Sequence, residues 1–397
     1  MALSAGTGAS QSRDSRSAGR DAALAALKNA GIQKADFAII TSAMNFDQAE
    51  VAAGVKEALG DTPFVGCTGA GAILAEGVLE HSVAVLVFQS SEGKFIPVKI
   101  THIGANMHEA GRRFGEEMQK MGGGEVKMAL IFSDALAGNG TQLVRGVLDV
   151  MGSHFPLGGG AAGDDLQFKK TYQFYCGEAL TDALVGVGIA GNVEIAVSAD
   201  HGWQPIGVPR IATKAEGTKL IELDGKPAFS LYQEYFGDRA ADFKTALSLA
   251  AVSYPLGMKS KDSGEQIMIR APLGVAEDGS ITCGAEIIQG SEIYLMIGTL
   301  SAVLWSAQQT ASSIASTLSS TSKRVVFASD CVARKILLGE HGMEEIKLLL
   351  AASGPGTVLF GFYTYGQIAP LRTPTANVRM CDPGFYEQSI SLAAFGV

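Results

Sequence analysis

Three glycines in the stretch "PLGGGAAGDD", residues 156–165, fall into the pattern G-x-G-x-x-G at Gly158, Gly160 and Gly163. In a dinucleotide-binding loop this pattern opens a helix, so that amide groups and the helix dipole meet the pyrophosphate. The residues that follow break that requirement. Asp164 and Asp165 would repel a diphosphate, and "LQFKKTYQFY" (166–175) alternates in the manner of a strand. The glycines read as a tight strand-end turn that brings backbone close to a cleft, without a nucleotide.

No other stretch carries a recognisable nucleophile–base pair, so an enzyme is not the expectation. The chain has no G-x-S-x-G elbow, no H-E-x-x-H and no P-loop lysine. Ser320-x-x-Lys323 lacks its companion motifs and reads as the solvated end of a helix. The six histidines (81, 102, 108, 154, 201, 341) have no metal-ligand spacing, and the five cysteines (67, 176, 283, 331, 381) include no C-x-x-C pair.

What remains is a set of polar residues at places where sites form. Asp134 and Asp330 follow the C-terminal ends of expected strands, the edge at which open α/β sheets collect ligands. Asp164 and Asp165 stand at the lip of a glycine turn to which Gly160 also belongs, and Cys67 and Thr68 hold the matching turn earlier in the chain. Arg270 and Arg334 have the fork to clamp a carboxylate, and Tyr363 and Tyr365 would share one face of a strand. Each also fits an internal salt bridge, a cap or a core hydroxyl. Together they favour a pocket for a small polar ligand, with acid–base chemistry by the Asp/Arg/Tyr set as an enzymatic alternative.

The elements expected to position these residues repeat. A helix after Asp14 stops at Gly31; a strand (36–40), a helix (46–60), a strand into a glycine turn (63–71) and a further strand (82–88) follow. The same order returns as a strand (128–132), a helix (139–152), a strand and turn (155–163) and a later strand (183–189). Ala38-Ile39-Ile40 falls on Ala129-Leu130-Ile131 at an offset of about 91, and Gly66 and Gly71 on Gly158 and Gly163 at about 92. The reading is a mixed α+β (α/β) chain with duplicated αβαβ-plus-hairpin units and mixed sheets in its first half. A second, smaller α/β domain follows: a D-G hairpin, a helix from Pro227, a Ser/Ala helix (about 301–319), then a β-α-β unit from Val325. The strand ending Ser329-Asp330 faintly echoes the one ending Ser133-Asp134.

Bulk properties narrow the class. At 397 residues two or three domains are expected, and 47% hydrophobic with 18% charged residues is the composition of a buried core. A formal net charge of −9 without a basic block disfavours nucleic acid and anionic membrane as partners. No apolar run reaches the length of about 20 residues that spans a bilayer. Scattered cysteines suit reduced thiols, so a cytoplasmic protein is the expectation.

Eight stretches in order resemble the FIST family, a bacterial sensory module with FIST N and FIST C regions. They are "VGCTGAGAI" (65–73), "GGGAAGDDLQF" (158–168), "TYQF" (171–174), "HGWQPIG" (201–207), "ELDGKPAFSLYQEYFG" (222–237), "IRAPLGVAEDGSI" (269–281), "ASDCVARKILLG" (328–339) and "GFYTYGQIAP" (361–370). The resemblance implies an N region over 14–210, with repeat units at about 14–103 and 104–210, and a C region over 211–397. It implies a signal-input role with a small ligand, amino acids among the proposals, and action on a separate partner such as a histidine kinase or a cyclic-di-GMP enzyme. A homodimer is a further expectation. Free-standing members resemble nitric-oxide-sensing proteins that bind haem, for which His201 would be the axial ligand, with His154 and Cys67 behind it. The chain departs from the family at Gln367, where Glu is usual, and at Phe385-Tyr386-Glu387-Gln388, where the usual pattern is F-H-N-Q.

Overall fold

Short apolar strands and Ala-rich helices assemble into three matching six-stranded sheets and a fourth, inserted sheet. The computed structural model describes residues 3–245, 247–259, 266–371 and 383–397; Cys381 lies outside them. The duplication expected in the first half is present, and a third copy completes it.

Unit I runs Leu3–Ser10, helix Ser15–Ala30, Phe37–Ser42, helix Gln48–Leu59, Phe64–Thr68, the hairpin Ala72–Leu74/Gly77–Leu79 and Val83–Ser90. Unit II repeats this as Gly93–Thr101, helix Met107–Gly122, Val126–Ser133, helix Gly140–Met151, Leu157–Ala161, the hairpin Gln173–Tyr175/Glu178–Leu180 and Ala183–Gly191. Unit III begins with Glu194–Asp200 and resumes at helix Leu300–Thr317, Arg324–Cys331, helices Val332–Leu338 and Gly342–Ser353, and Thr357–Thr364. Its hairpin Gly366–Pro370/Pro383–Tyr386 and last strand Ile390–Gly396 close it. Between its first strand and first long helix lies the fourth sheet, built around Gln204–Glu216 and Glu292–Ile297. The domain break expected at 210/211 falls inside the strand Gln204–Glu216.

Local signals explain the ends of these elements. Asp14 caps helix Ser15–Ala30 by accepting from the Ser17 N–H at 2.8 Å, and Gly31 ends it at φ +67°. The polar opening "LSAGTGAS" forms a strand against Val83–Ser90, which its lack of large apolar residues hid. Of the segment 166–175, only Gln173–Tyr175 is strand; 166–170 is loop. The helix expected from Pro227 starts at Ser230.

The hairpins are exchanged in a ring. That of unit I pairs with Thr357–Thr364 of unit III, that of unit II with Phe64–Thr68 of unit I, and that of unit III with Leu157–Ala161 of unit II. Where the exchanges meet, the backbone closes a cycle: Ala70 N–H donates to Tyr363 O (2.9 Å), Gly163 to Thr68 O (2.9 Å) and Tyr365 to Ala161 O (3.1 Å). The inner faces of the three sheets share one core, in which Phe88 meets Phe395 and Phe132 meets Phe327 edge-on at 5.3 and 5.4 Å. Helices cover the outer faces, for example with Val51 and Val55 on sheet I and Phe114 and Leu143 on sheet II. Each buried Phe or Val contributes about 1.5–3 kcal/mol of hydrophobic free energy.

The strand register aligns Gly66 with Gly159, one residue on from the match read in the sequence, and with Gly361. All three lie against a neighbouring carbonyl: an added Cβ would sit 1.8 Å from Ile40 O, 2.0 Å from Ile131 O or 2.2 Å from Ala328 O. Gly66→Ala and Gly361→Ala are each expected to lower stability by about 3 kcal/mol, because the parallel strands must separate. Gly31→Ala, in open space, costs about 1 kcal/mol for its left-handed backbone. Denaturant unfolding that gave all three equal losses would contradict this account.

Candidate functional site

The strand ends nearest the ring open onto cavities. One, of about 310 Å³, lies between the loop after Val126–Ser133, the start of helix Val332–Leu338, the loop 164–170 and the inserted sheet. Its rim is apolar and exposed: Leu136, Leu166, Phe168, Leu273 and Ile336 are each 39–50% accessible, and all five border it. An exposed apolar patch of this kind around a concavity marks a binding surface.

Two polar side chains form part of its wall, Glu387 and Gln388, which are 6% and 2% exposed. Glu387 Oε2 accepts the Ala271 N–H at 3.1 Å, and Oε1 accepts no hydrogen bond among the described residues. Gly284 packs so closely that an added Cβ would lie 1.9 Å from Oε1. Gln388 donates to Ala251 O at 2.8 Å, while its Oε1 is buried with no hydrogen-bond partner among the described residues. Its backbone is left-handed at φ +53°, a strained state for a non-glycine residue.

Burial pushes the Glu387 carboxyl up to about 7, against the pull of Arg270 and the Ala271 N–H. Arg270 is itself buried and gives its donors to Glu286 O (2.7 Å) and Ile269 O (2.9 Å), so it is not a free clamp. Burial draws its pKa down and Glu387 opposes that.

Loop 164–170 is held by Asp164. Its carboxylate accepts the N–H groups of Phe168 (2.9 Å), Lys169 (2.7 Å) and Lys170 (3.0 Å) and the Tyr365 hydroxyl. Burial works against the charge, but these donors bring its pKa below the ordinary value. Tyr365 stacks on Phe168 at 4.8 Å. Asp165, Leu166 and Phe168 are all left-handed (φ +54°, +62°, +50°), so the loop is strained and depends on those bonds. Its two sides serve two cavities: Leu166 and Phe168 border the apolar one, while Asp165 and Gln167 border a polar one of about 360 Å³ with Glu80, His81 and Lys335. Burial raises the Asp165 pKa, with Lys335 and His81 opposing.

The other residues singled out in the sequence serve the interior. Arg334 is fully buried and spends its donors on Asp330 (2.7 Å), Glu345, His201 O (2.9 Å) and Ser306 (3.1 Å). Burial opposes its charge, and Asp330 and Glu345 more than restore it. Burial and Glu345 push Asp330 well up, as two carboxylates sharing one guanidinium require. Asp134 receives Leu136 N–H, Thr171 and Asp182 N–H at 2.7–2.9 Å. Gln367 bonds Thr364 and Ser389. Cys67 lies in the shared core, Thr68 and Gly160 in strands near the ring, and Tyr363 under Lys335, whose Nζ is 5.7 Å from the ring centre. The Gly158–Gly163 segment opens no helix.

His201, named first for haem, has no free ring nitrogen as arranged. His201 Nδ1 accepts the Trp203 N–H at 2.9 Å, so Nε2 carries the proton and donates to Ile267 O at 3.1 Å, leaving no lone pair for iron. Burial also lowers its pKa. His154 is exposed after helix Gly140–Met151, and Cys67 is buried in the shared core. Among the described residues no group of His, Cys, Asp and Glu could hold a metal ion.

Of the cavity wall, sequence reasoning named Tyr365 and missed Glu387 and the apolar rim. The usable signal for Glu387 was its place in the departing stretch Phe385–Gln388.

The fold is that of a mixed α+β protein with a concavity at the junction of its exchanged units. The chain belongs to the FIST family: residues 36–226 match the FIST N domain and 228–370 the FIST C domain. FIST domains are small-ligand-binding signal-transduction domains. An uncharacterized protein of Methanocaldococcus jannaschii is 30% identical over 169 residues, 38% of this chain and 31% of its own length. Another, of Mycobacterium tuberculosis H37Rv, is 26% identical over 258 residues, 61% of this chain and 62% of its own. The chain thus spans less than two thirds of either relative. Among solved structures, a chorismatase aligns over 92% of this chain and 93% of its own at 8% identity and a TM-score of 0.36. A cyanuric acid hydrolase from A. caulinodans covers 48% and 71% at 11% identity and 0.30. At these values neither enzyme's chemistry transfers to this chain. No helix among the described residues is long and apolar enough to cross a membrane.

Glu387 is faced by Arg270, Cys283 and Cys331 from the elements around it. Its raised folded pKa means the fold favours the protonated acid. That contribution is complete below about pH 4.5 and is lost as pH rises through about 7. Relative to Glu387→Gln, the native protein should lose about 3 kcal/mol between these limits. Urea unfolding of both proteins at about pH 4 and pH 8 measures the gap; a gap that does not change with pH contradicts a buried, protonated Glu387.

Proposed function

We propose that this chain is a small-ligand-binding sensory protein, that its ligand enters the apolar-rimmed cavity beside Glu387, and that it acts on a separate signalling protein such as a histidine kinase or a cyclic-di-GMP enzyme. The observation that carries the ligand site is the gathering of Leu136, Leu166, Phe168, Leu273 and Ile336, exposed, around one concavity with a buried carboxyl in its wall. The lining narrows the expectation of an amino acid or small polar metabolite to a molecule with an apolar body and one polar end. The strained loop 164–170 gives such a ligand a means of signalling, since Leu166 and Phe168 touch the cavity and Asp164 ties the same loop to Tyr365.

A thermal-shift screen with hydrophobic amino acids and with amines, alcohols and acids of similar size tests the reading. A ligand at a hundredfold excess over its Kd stabilises the fold by about 2.7 kcal/mol. At least one class should raise the melting temperature, and Leu136→Trp, which fills the cavity from its rim, should remove the shift. If no class stabilises the protein, or if Leu136→Trp leaves the shift intact, the ligand does not bind in this cavity.

A further inference from the structure

We propose that the polar end of the ligand is a primary ammonium group, held by Glu387, on a branched or aromatic body that carries no carboxylate. This rests on the cavity assignment above and names the chemical class that the cavity takes.

The first argument is the inventory of hydrogen-bonding atoms in the wall. Glu387 Oε1 is the polar side-chain atom left open there; near neutral pH the carboxyl is part acid and part carboxylate, and a cation beside it holds the carboxylate, an acceptor. Side-chain donors nearby are turned elsewhere: the Gln388 amide donates to Ala251 O and the Tyr365 hydroxyl to Asp164, while Arg270, which donates to Glu286 O and Ile269 O, is not part of the lining. A buried acceptor without a donor is costly, so the complementary ligand must bring donors. An ammonium group brings three and adds charge complementary to the carboxylate. No basic side chain lines the cavity among the described residues, so a ligand carboxylate would meet Glu387 with no side-chain cation in the lining to offset the repulsion. That argues against an amino acid, which carries both groups.

The second argument comes from the repeat. Glu80, Thr181 and Glu387 occupy the same position in the three units. Each precedes a left-handed residue, His81, Asp182 and Gln388, at φ +50°, +50° and +53°. The residue after that then accepts the N–H of Ala43, Asp134 or Cys331. In unit I this carboxylate is matched within the protein: Lys335 Nζ stands 2.7 Å from Glu80. In unit III the equivalent carboxylate faces a cavity and has no such lysine. The molecule thus shows, at an equivalent backbone position, the chemistry that completes Glu387: a primary ammonium.

The probes are 2-phenylethylamine and 3-methylbutylamine, their alcohol counterparts 2-phenylethanol and 3-methylbutanol, and phenylalanine, leucine and 3-phenylpropionate. Calorimetric titration of the full chain near neutral pH should show the amines binding at least about tenfold more tightly than the alcohols, amino acids or acid, as a charge-assisted hydrogen bond predicts. Glu387→Gln should remove that preference. Should Glu387→Gln fail to fold, Leu136→Trp, on the exposed rim, must abolish amine binding. If all classes bind alike and Leu136→Trp abolishes them all, the cavity assignment stands and the ammonium class is wrong. Amine preference retained in Glu387→Gln also overturns it. If no probe binds the native protein, the cavity assignment falls and the ammonium class falls with it.

Discussion

The fold turns on a cycle of three backbone hydrogen bonds, Ala70 to Tyr363, Gly163 to Thr68 and Tyr365 to Ala161. Each joins the residue after one unit's parallel strand pair to the corresponding strand of another unit. It can form only if every unit lends its hairpin to the next sheet, because the strand must leave its own sheet immediately after the donor residue. The exchange explains why none of the three matching sheets is local in sequence. Sheet I takes the strands Gln173–Tyr175 and Glu178–Leu180, sheet II takes Gly366–Pro370 and Pro383–Tyr386, and sheet III takes Ala72–Leu74 and Gly77–Leu79. The units are therefore not separable domains, and one core of phenylalanines serves all three.

This constraint also locates the cavities. Around the ring, three strand ends, three glycine turns and three left-handed corners recur with nearly constant backbone, so side chains are free to differ at equivalent places. Where unit I places Glu80 with Lys335 the site is polar; where unit III places Glu387 beside the inserted sheet it is apolar with one open carboxyl. The insertion between Glu194–Asp200 and Leu300–Thr317 supplies Pro272 and Leu273, which unit I has no counterpart for. Function here comes from broken symmetry on a symmetric frame.

The sequence showed the helices well, because caps such as Asp14 and Gly31 are local chemistry. It showed two units, because nothing interrupts them. The third was nearly invisible, since a whole sheet separates its first strand from its first long helix and only Ser329-Asp330 echoes Ser133-Asp134. The strand Leu3–Ser10 was hidden for a packing reason. Helix Ser15–Ala30 lies on it so closely that a Cβ at Gly6 or Gly8 would come within 2.3 or 2.4 Å of helix backbone, so small residues replace the usual β-formers. At the site, residue type misled. Asp330 and Arg334 look like a ligand clamp, yet Glu345, eleven residues on and with no motif to flag it, completes an internal triad. Whether a charged group serves the interior or a ligand depends on where its counter-ion comes from, and that is a tertiary fact.

Asp164 shows how far this reaches. The same "GGGAAGDD" stretch that mimics a nucleotide loop ends in a carboxylate that gathers three successive N–H groups and a tyrosine hydroxyl. Three non-glycine residues of that loop are left-handed, each costing about 1–3 kcal/mol, and the carboxylate's bonds offset that strain. Tyr365, the hydroxyl donor, is also a donor in the central ring and a wall of the apolar cavity. One residue therefore links the element that closes the fold, through its backbone N–H, with the strained loop and the cavity wall, through its side chain. A change at any of the three therefore bears on the geometry available to the other two.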